Sequence, residues 1–247
     1  FEDHRAMLRG ARPDLVSVVV PTGQHLAVAL DVVAAGVSLL VEKPIAATED
    51  EALAMIAAAA AAGVVLTVGH VERFNPAVRE LKRRVDAGEL GRVFTIQARR
   101  LGPFPARVRD VGVVIDLATH DIDILRWIVG SEVVRIQAET AQRIHTAHED
   151  VLLGLLRFAG GEIGLLNINW LTPTKIRELS VTGERGMFVA DYLRQTLTFH
   201  ENTAADAHWE SFGQLQGVVE GNTTSIRIDG GEPLVAELAA FVAAVRD

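Results

Sequence analysis

Several short clusters in this sequence carry side chains that can move protons or hold anions. Lys43 stands between Glu42 and Pro44, just after the apolar run 37–41. A lysine at a strand end can bind a reacting oxygen, and partial desolvation lowers its pKa toward a working range. The plainer alternative is a strand-end lysine in solvent. Asp116, His120 and Asp123 are spaced i, i+4 and i+7, which places them on one face of a helix. Their neighbours Ile115, Leu117, Ile122, Ile124 and Leu125 are apolar, so the acids and the imidazole need partners. His120 titrates near neutrality and suits a base in oxidation and an acid in reduction. Asp116 can orient that ring or bind a hydroxyl. The same residues also read as a buried Asp–His pair that ties a helix to a sheet. Two ligands at i and i+4 without a third fall short of a zinc site, and no metal is expected.

Other clusters surround these. His70-Val71-Glu72-Arg73-Phe74-Asn75-Pro76 follows an apolar run and opens a helix, at a crossover between two halves of the chain. Arg73 can clamp a phosphate or carboxylate with its planar fork, or pair with Glu72. Asn75 shares this crossover, where small-molecule sites are common. Pro21, Thr22 and His25 follow the first apolar run. Thr22 can cap the next helix, whose N-terminus favours anionic groups. The loop Gly102-Pro103-Phe104-Pro105-Ala106-Arg107-Val108-Arg109 holds two arginines suited to a phosphorylated or nucleotide-linked ligand, although such loops are also ordinary surface. Trp170 can stack on a sugar, but a strand tryptophan belongs more often to the core.

The elements that must position these residues change period along the chain. Residues 15–20 form a continuous β-branched run stopped by Pro21, as in a strand buried on both faces. A helix over 25–35 with Gly36 at its end, a strand over 37–41, a helix opened by Thr48 with capping-box spacing and closed by Gly63, and a strand over 64–69 follow. Strand and helix alternating with short loops predicts a doubly wound parallel sheet. Pro76 opens a helix to about Asp86, whose charges read as a solvated face. From Arg92 the pattern alternates: strands are expected over 93–98, 133–140, 151–158, 162–170, 176–182, 187–191 and 196–200. One strong helix over 113–128 interrupts them, and a last helix over 233–245 closes the chain. Gly160-Gly161 and Gly183-Glu184-Arg185-Gly186 predict hairpins. The expected fold is therefore α/β plus α+β. A partial dinucleotide-binding domain spans residues 1–71, and residues 72–247 form a domain on a large, mostly antiparallel sheet. The final helix is free to pack back on the first domain.

Composition narrows the function. The 247 residues carry a formal net charge of −8, and the longest basic run is Lys82-Arg83-Arg84, which argues against nucleic acid. No apolar run approaches a membrane span of about 18 residues. With no cysteine, thiolate metal sites, disulfides and a Cys nucleophile are excluded. A start of Phe1-Glu2-Asp3-His4 has no secretory pattern, and a cytoplasmic location is expected. Early glycines at 10, 23 and 36 do not have the spacing of a phosphate-cradling turn. The expectation is a piece of a longer chain whose first nucleotide-binding unit, with its Gly-rich turn, is missing.

Three clusters, in order and separation, resemble one family. They are Glu42-Lys43-Pro44 preceded by Pro21-Thr22 and His25; Gly69-His70-Val71-Glu72-Arg73-Phe74-Asn75-Pro76; and Asp116-Leu117-Ala118-Thr119-His120-Asp121-Ile122-Asp123. The chain is identified as similar, over nearly its whole length, to the glucose–fructose oxidoreductase / inositol 2-dehydrogenase (Gfo/Idh/MocA) family. The second cluster looks most like the branch that oxidises nucleotide-linked amino sugars at the 3-hydroxyl.

The resemblance implies an NAD(P)-dependent dehydrogenase, NAD favoured, that moves a hydride between a sugar or cyclic-polyol hydroxyl and the nicotinamide. The favoured substrate is a UDP-linked N-acetyl amino sugar oxidised at C3. It implies Lys43 and His120 as the proton-handling pair, with Asp116 as a substrate ligand completing the catalytic set. Cofactor contacts fall to Pro21, Thr22, His25, Glu42, Lys43 and Pro44. Substrate contacts fall to Lys43, Arg73, Asn75, Arg107, Asp116 and His120. A homodimer or homotetramer through the open sheet is implied as well. The rival reading is a non-catalytic regulator that senses cofactor or sugar, or a scaffold, on the same fold. Retention of both Lys43 and His120 favours the enzyme.

Overall fold

A computed structural model describes residues 1–105, 108, 111–144, 147–204 and 218–246. It divides into two compact units, residues 1–74 with 232–247, and residues 75–231.

In the first unit, β1 (Leu15–Val18), β2 (Ser38–Glu42) and β3 (Leu66–Gly69) form a parallel sheet in that order. The helices α2 (His25–Ala34) and α3 (Glu49–Ala62) connect them. Val18, Leu39 and Val41 from the strands pack with Val32 of α2 and Met55 and Ala59 of α3 in one core. The α3 cap departs slightly from a reciprocal capping box. Thr48 Oγ1 accepts from Glu51 N, but Glu51 Oε2 accepts from Ala47 N, one residue before the cap. A helix not expected from the sequence, α1 (His4–Ala11), starts at Asp3, which accepts from Ala6 N, and only Leu8 of it is buried. Its His4 and Arg5 both reach Asp31 on α2, at 2.7 and 2.8 Å. The last helix, α6 (Pro233–Arg246), also belongs to this unit and packs on the 3₁₀ turn Val71–Phe74.

The second unit is an eight-stranded sheet with order β11-β10-β9-β8-β4-β7-β6-β5, in which only the β4–β7 pair is parallel. Its strands are β4 (Val93–Pro103), β5 (Val133–Ala141), β6 (Val151–Phe158), β7 (Ile163–Asn169), β8 (Leu171–Gly183), β9 (Gly186–Asp191), β10 (Thr196–Ala204) and β11 (Val218–Ile226). The hairpins at Gly160-Gly161 and at 184–185 are formed. Strand β4 continues five residues past its expected end, and β11 was not foreseen. Helices α4 (Pro76–Asp86), against β9 and β10, and α5 (Thr119–Val129), against β4, cover one face. Ile96, Ala98, Leu125, Ile128, Phe158, Ile168 and Phe188 fill the core beneath them. Among the described residues the opposite face is left open, and it carries Leu153 and Leu155, which are 51% and 45% exposed. No helix among the described residues is long and apolar enough to cross a membrane.

The helix expected over 113–128 is not one regular α-helix. Residues Val114–Ala118 form a π turn, and α-geometry begins at Thr119. A π turn spaces residues more widely than an α-helix, so Asp116 and His120 do not share one regular α-helical face.

Candidate active site

In the first unit, the three parallel strands end at the same edge, where open α/β sheets bind their ligands. The loop after β1 carries Pro21 and Thr22, the loop after β2 carries Glu42, Lys43 and Pro44, and β3 runs into His70. His25 joins the first two loops. Its ring is buried, with Nε2 2.9 Å from the Val20 carbonyl and Nδ1 3.0 Å from that of Pro44. Thus His25 serves the edge by fastening its loops. Thr22 does not cap α2. The turn Thr22–Gln24 is 3₁₀, closed by Gln24 N donating to the Pro21 carbonyl, and makes no side-chain cap bond. The backbone closes that turn, which leaves the Thr22 hydroxyl out of the capping role. At Gly23, nothing lies within 4 Å of where a Cβ would stand, so the turn's surface is open.

Lys43 is half-buried, its peptide to Pro44 is cis, and its N–H donates to the Glu42 carboxylate at 3.2 Å. Glu42 is paired in register with Gly69. A Cβ on Gly69 would stand 3.2 Å from Glu42 Oε2, so glycine at the end of β3 lets the Glu42 side chain lie against the main chain. Open backbone at Gly23 and the Lys43 side chain are chemically suited to an anionic dinucleotide; no Gly-rich phosphate cradle lies on the described residues. Arg73 is half-buried in the turn Val71–Phe74.

One acid here is not among the expected site residues. Glu237 of α6 is only 2% exposed, and neither carboxylate oxygen has a hydrogen-bond partner among the described residues. Burial first, and then the charge of Glu42, push its pKa up to about 7. Its signal was faint: an acid one turn before Phe241, on the helix face that is buried. The folded state keeps a proton on Glu237 that the unfolded chain releases above its ordinary 4.5. Stability should therefore fall as pH rises from about 4.5 to 7, by up to about 3 kcal/mol, and level off above 7. Glu237→Gln should flatten that decline in urea titrations run at several pH values. An unchanged slope would show that Glu237 does not hold the proton.

In the second unit, Asn75 is buried and caps α4. Its Oδ1 accepts from Ala77 N and its Nδ2 donates to the Tyr192 carbonyl, both at 3.1 Å. The side chain expected at the substrate thus ties α4 to the end of β9. Asp116 lies half-buried in the π turn, its N–H donating to the Gly112 carbonyl, and His120 lies half-buried in the first turn of α5. The structure thus brings Asp116 and His120 onto one continuous π/α segment. Arg107 and Arg109 lie outside the described residues. Trp170 is core, with its ring edge-on to Phe104 at 5.3 Å.

Two pairs outside the expected site residues fix this segment. Asp121, beside His120, is held bidentate by Arg100 of β4 at 2.7 and 3.1 Å, with both residues at or below 5% exposure. Glu149 accepts from Val113 N through its carbonyl and from Val114 N through its carboxylate, both at 3.0 Å. No group of three or more His, Asp or Glu that could hold a metal occurs among the described residues.

A half-doubly-wound parallel sheet joined in sequence to a large sheet that carries an Asp–His helix defines a class of nicotinamide-dependent oxidoreductases. Family models bear this out: residues 1–70 match the oxidoreductase family, NAD-binding Rossmann fold, and residues 78–189 match the GFO/IDH/MocA C-terminal domain. The chain belongs to the Gfo/Idh/MocA family of NAD-binding oxidoreductases.

Among its relatives is UDP-N-acetylglucosamine 3-dehydrogenase of Acidithiobacillus ferrooxidans, 29% identical over 95% of this chain and 71% of that protein. A solved structure of that enzyme superimposes on all of this chain and 74% of its own, with TM-score 0.86. The WlbA dehydrogenase of Bordetella pertussis, solved with NADH and UDP-GlcNAcA, is 28% identical, covering 77% of this chain and 59% of its own, with TM-score 0.72. Inositol 2-dehydrogenase 2 of Saccharopolyspora erythraea is 34% identical over 60% of this chain and 44% of that protein.

Proposed function

We propose that the full-length protein oxidises the C3 hydroxyl of a UDP-linked N-acetyl amino sugar, with NAD preferred over NADP as hydride acceptor. The observation that carries this reading is Asp116 and His120 on one fixed π/α segment, in a chain that also keeps Lys43 at the carboxyl edge of its parallel sheet. The likeness to a UDP-N-acetylglucosamine 3-dehydrogenase over 95% of the chain supports the substrate.

A bound nicotinamide supplies the hydride acceptor; the chain's own groups do the rest. In this reading, His120 takes the hydroxyl proton, Lys43 holds the reacting oxygen and Asp116 fixes a neighbouring hydroxyl. Arg73 and Arg107 are assigned to the anionic part of the substrate. Pro21, Thr22, Glu42 and Pro44 form the wall of the cofactor edge. His25 and Asn75 serve by holding loops and helix in place. The open sheet face with Leu153 and Leu155 is read as the interface of a homodimer or homotetramer.

The test is to supply the protein with NAD and UDP-N-acetylglucosamine, and in parallel with NADP, free sugars and cyclic polyols. Reduced nicotinamide should form fastest with the nucleotide-linked sugar and NAD. Cofactor binding without reduction by any sugar would favour a non-catalytic sensor or scaffold on this fold.

A further inference from the structure

We infer that Glu149 is a positioning residue that sets the π turn and, through it, Asp116 and His120. Its catalytic consequence rests on the hydride-transfer reading; its geometry does not.

A helix start leaves main-chain N–H groups without partners inside the helix. The N-cap of this π turn is Val113, which has no side chain able to cap, and no local cap bond forms. The partners come from 35 residues further along the chain. The Glu149 carbonyl takes Val113 N–H and its carboxylate takes Val114 N–H. A carboxylate here also suits the positive end of the helix. Gly112 makes room for it: a Cβ at that position would stand 2.1 Å from Glu149 Oε1. The Gly112 carbonyl then accepts Asp116 N–H at 3.0 Å, so the Glu149 contact and the placement of Asp116 share the same few atoms.

Glu149 is itself held rigidly by the residue that follows it. Asp150 is fully buried, and its carboxylate accepts from Arg143 N and Ile144 N at 2.8 to 3.0 Å. The Asp150 N–H donates to the Ala141 carbonyl, and its own carbonyl accepts from Trp170 N. The ends of β5 and β7 therefore clamp the chain at Glu149, and Glu149 clamps the helix start. A π turn is an uncommon geometry that needs such support. Without it, relaxation toward α-spacing would turn Asp116 relative to His120, and a misplacement of about 1 Å is enough to cost on the order of 100-fold in rate.

Four variants of the full-length protein test this: Glu149→Ala, Glu149→Gln, Gly112→Ala and the double Gly112→Ala/Glu149→Ala. Glu149→Ala should lower kcat on the order of 10- to 100-fold with KM for NAD unchanged. Glu149→Gln keeps an oxygen for Val114 N–H and should stay within about threefold of the parent. Gly112→Ala should behave like Glu149→Ala, because its methyl displaces the carboxylate. The double variant should be no worse than Glu149→Ala alone, since the methyl then has room.

The amide resonances of residues 113–120 provide a readout that needs no turnover. They should move in Glu149→Ala and Gly112→Ala and stay in place in Glu149→Gln. If the parent oxidises no sugar, the hydride-transfer reading fails, and the resonances still judge the clamp. A glutamine variant as damaged as the alanine one, additive losses in the double variant, or unmoved resonances would overturn the inference.

Discussion

Replacing His120 by alanine is expected to lower sugar-dependent reduction of the nicotinamide on the order of 100-fold or more, while cofactor binding persists. The imidazole is the group on the Asp116–His120 segment whose ordinary titration range lies near neutrality. Oxidation of a hydroxyl requires its proton to leave as the hydride departs, and His120 is the group assigned to take it. His120 is half-buried in the first turn of α5, while the helix is anchored by the fully buried Ile124, Leu125 and Ile128. The substitution should therefore leave the fold intact. Steady-state rates paired with a binding titration of the reduced cofactor separate the two effects. Turnover within a fewfold of the parent would remove His120 from the chemistry.

The second large effect is on stability. Asp121→Ala is expected to cost about 3–5 kcal/mol, because it leaves the Arg100 guanidinium buried without its carboxylate. Both oxygens of Asp121 are used, and Arg100 lies within 5% exposure between β4, α5 and the ring of Tyr192, whose centroid is 5.6 Å away. Water cannot readily replace the lost partner there. Removing both charges, as in Arg100→Met with Asp121→Leu, should recover much of the loss, since an apolar pair of similar volume carries no desolvation penalty. Urea denaturation of the three proteins gives the comparison. A single-variant loss below about 1 kcal/mol would mean that the pair is solvated and weak.

How far the sequence disclosed this molecule depended on whether its signals were local. The parallel strands β1 to β3 were legible because buried strands read as unbroken apolar runs between turn residues. The cap at Thr48 and the proline that opens α4 were legible for the same reason, whereas the α-spacing expected of Asp116 and His120 is interrupted by the π turn. Helix α1 was not legible, because eight polar-rich residues that bury only Leu8 are too few for helical periodicity to decide. Strand β11 was hidden by Gly221 and Asn222, and Arg99 and Arg100 read as the end of β4 although Arg100 continues it into the core. That arginine can be buried only because Asp121 meets it, a pairing across 21 residues that no short window reveals. The same limit hid Glu149, which caps a helix 35 residues before it, and the π turn that this cap supports. Asn75 and His25 were legible as polar residues at the right loops. Their roles as a cap and a loop fastener depend on carbonyls that only the fold brings near.

The most direct test of the central claim uses UDP-N-acetylglucosamine carrying deuterium at C3, mixed with the full-length protein and NAD. The deuterium is expected on the nicotinamide ring, raising the mass of the reduced cofactor by one deuterium, and the sugar should become the 3-keto product. Reduced cofactor formed without the label, or label retained on the sugar through turnover, would contradict that claim.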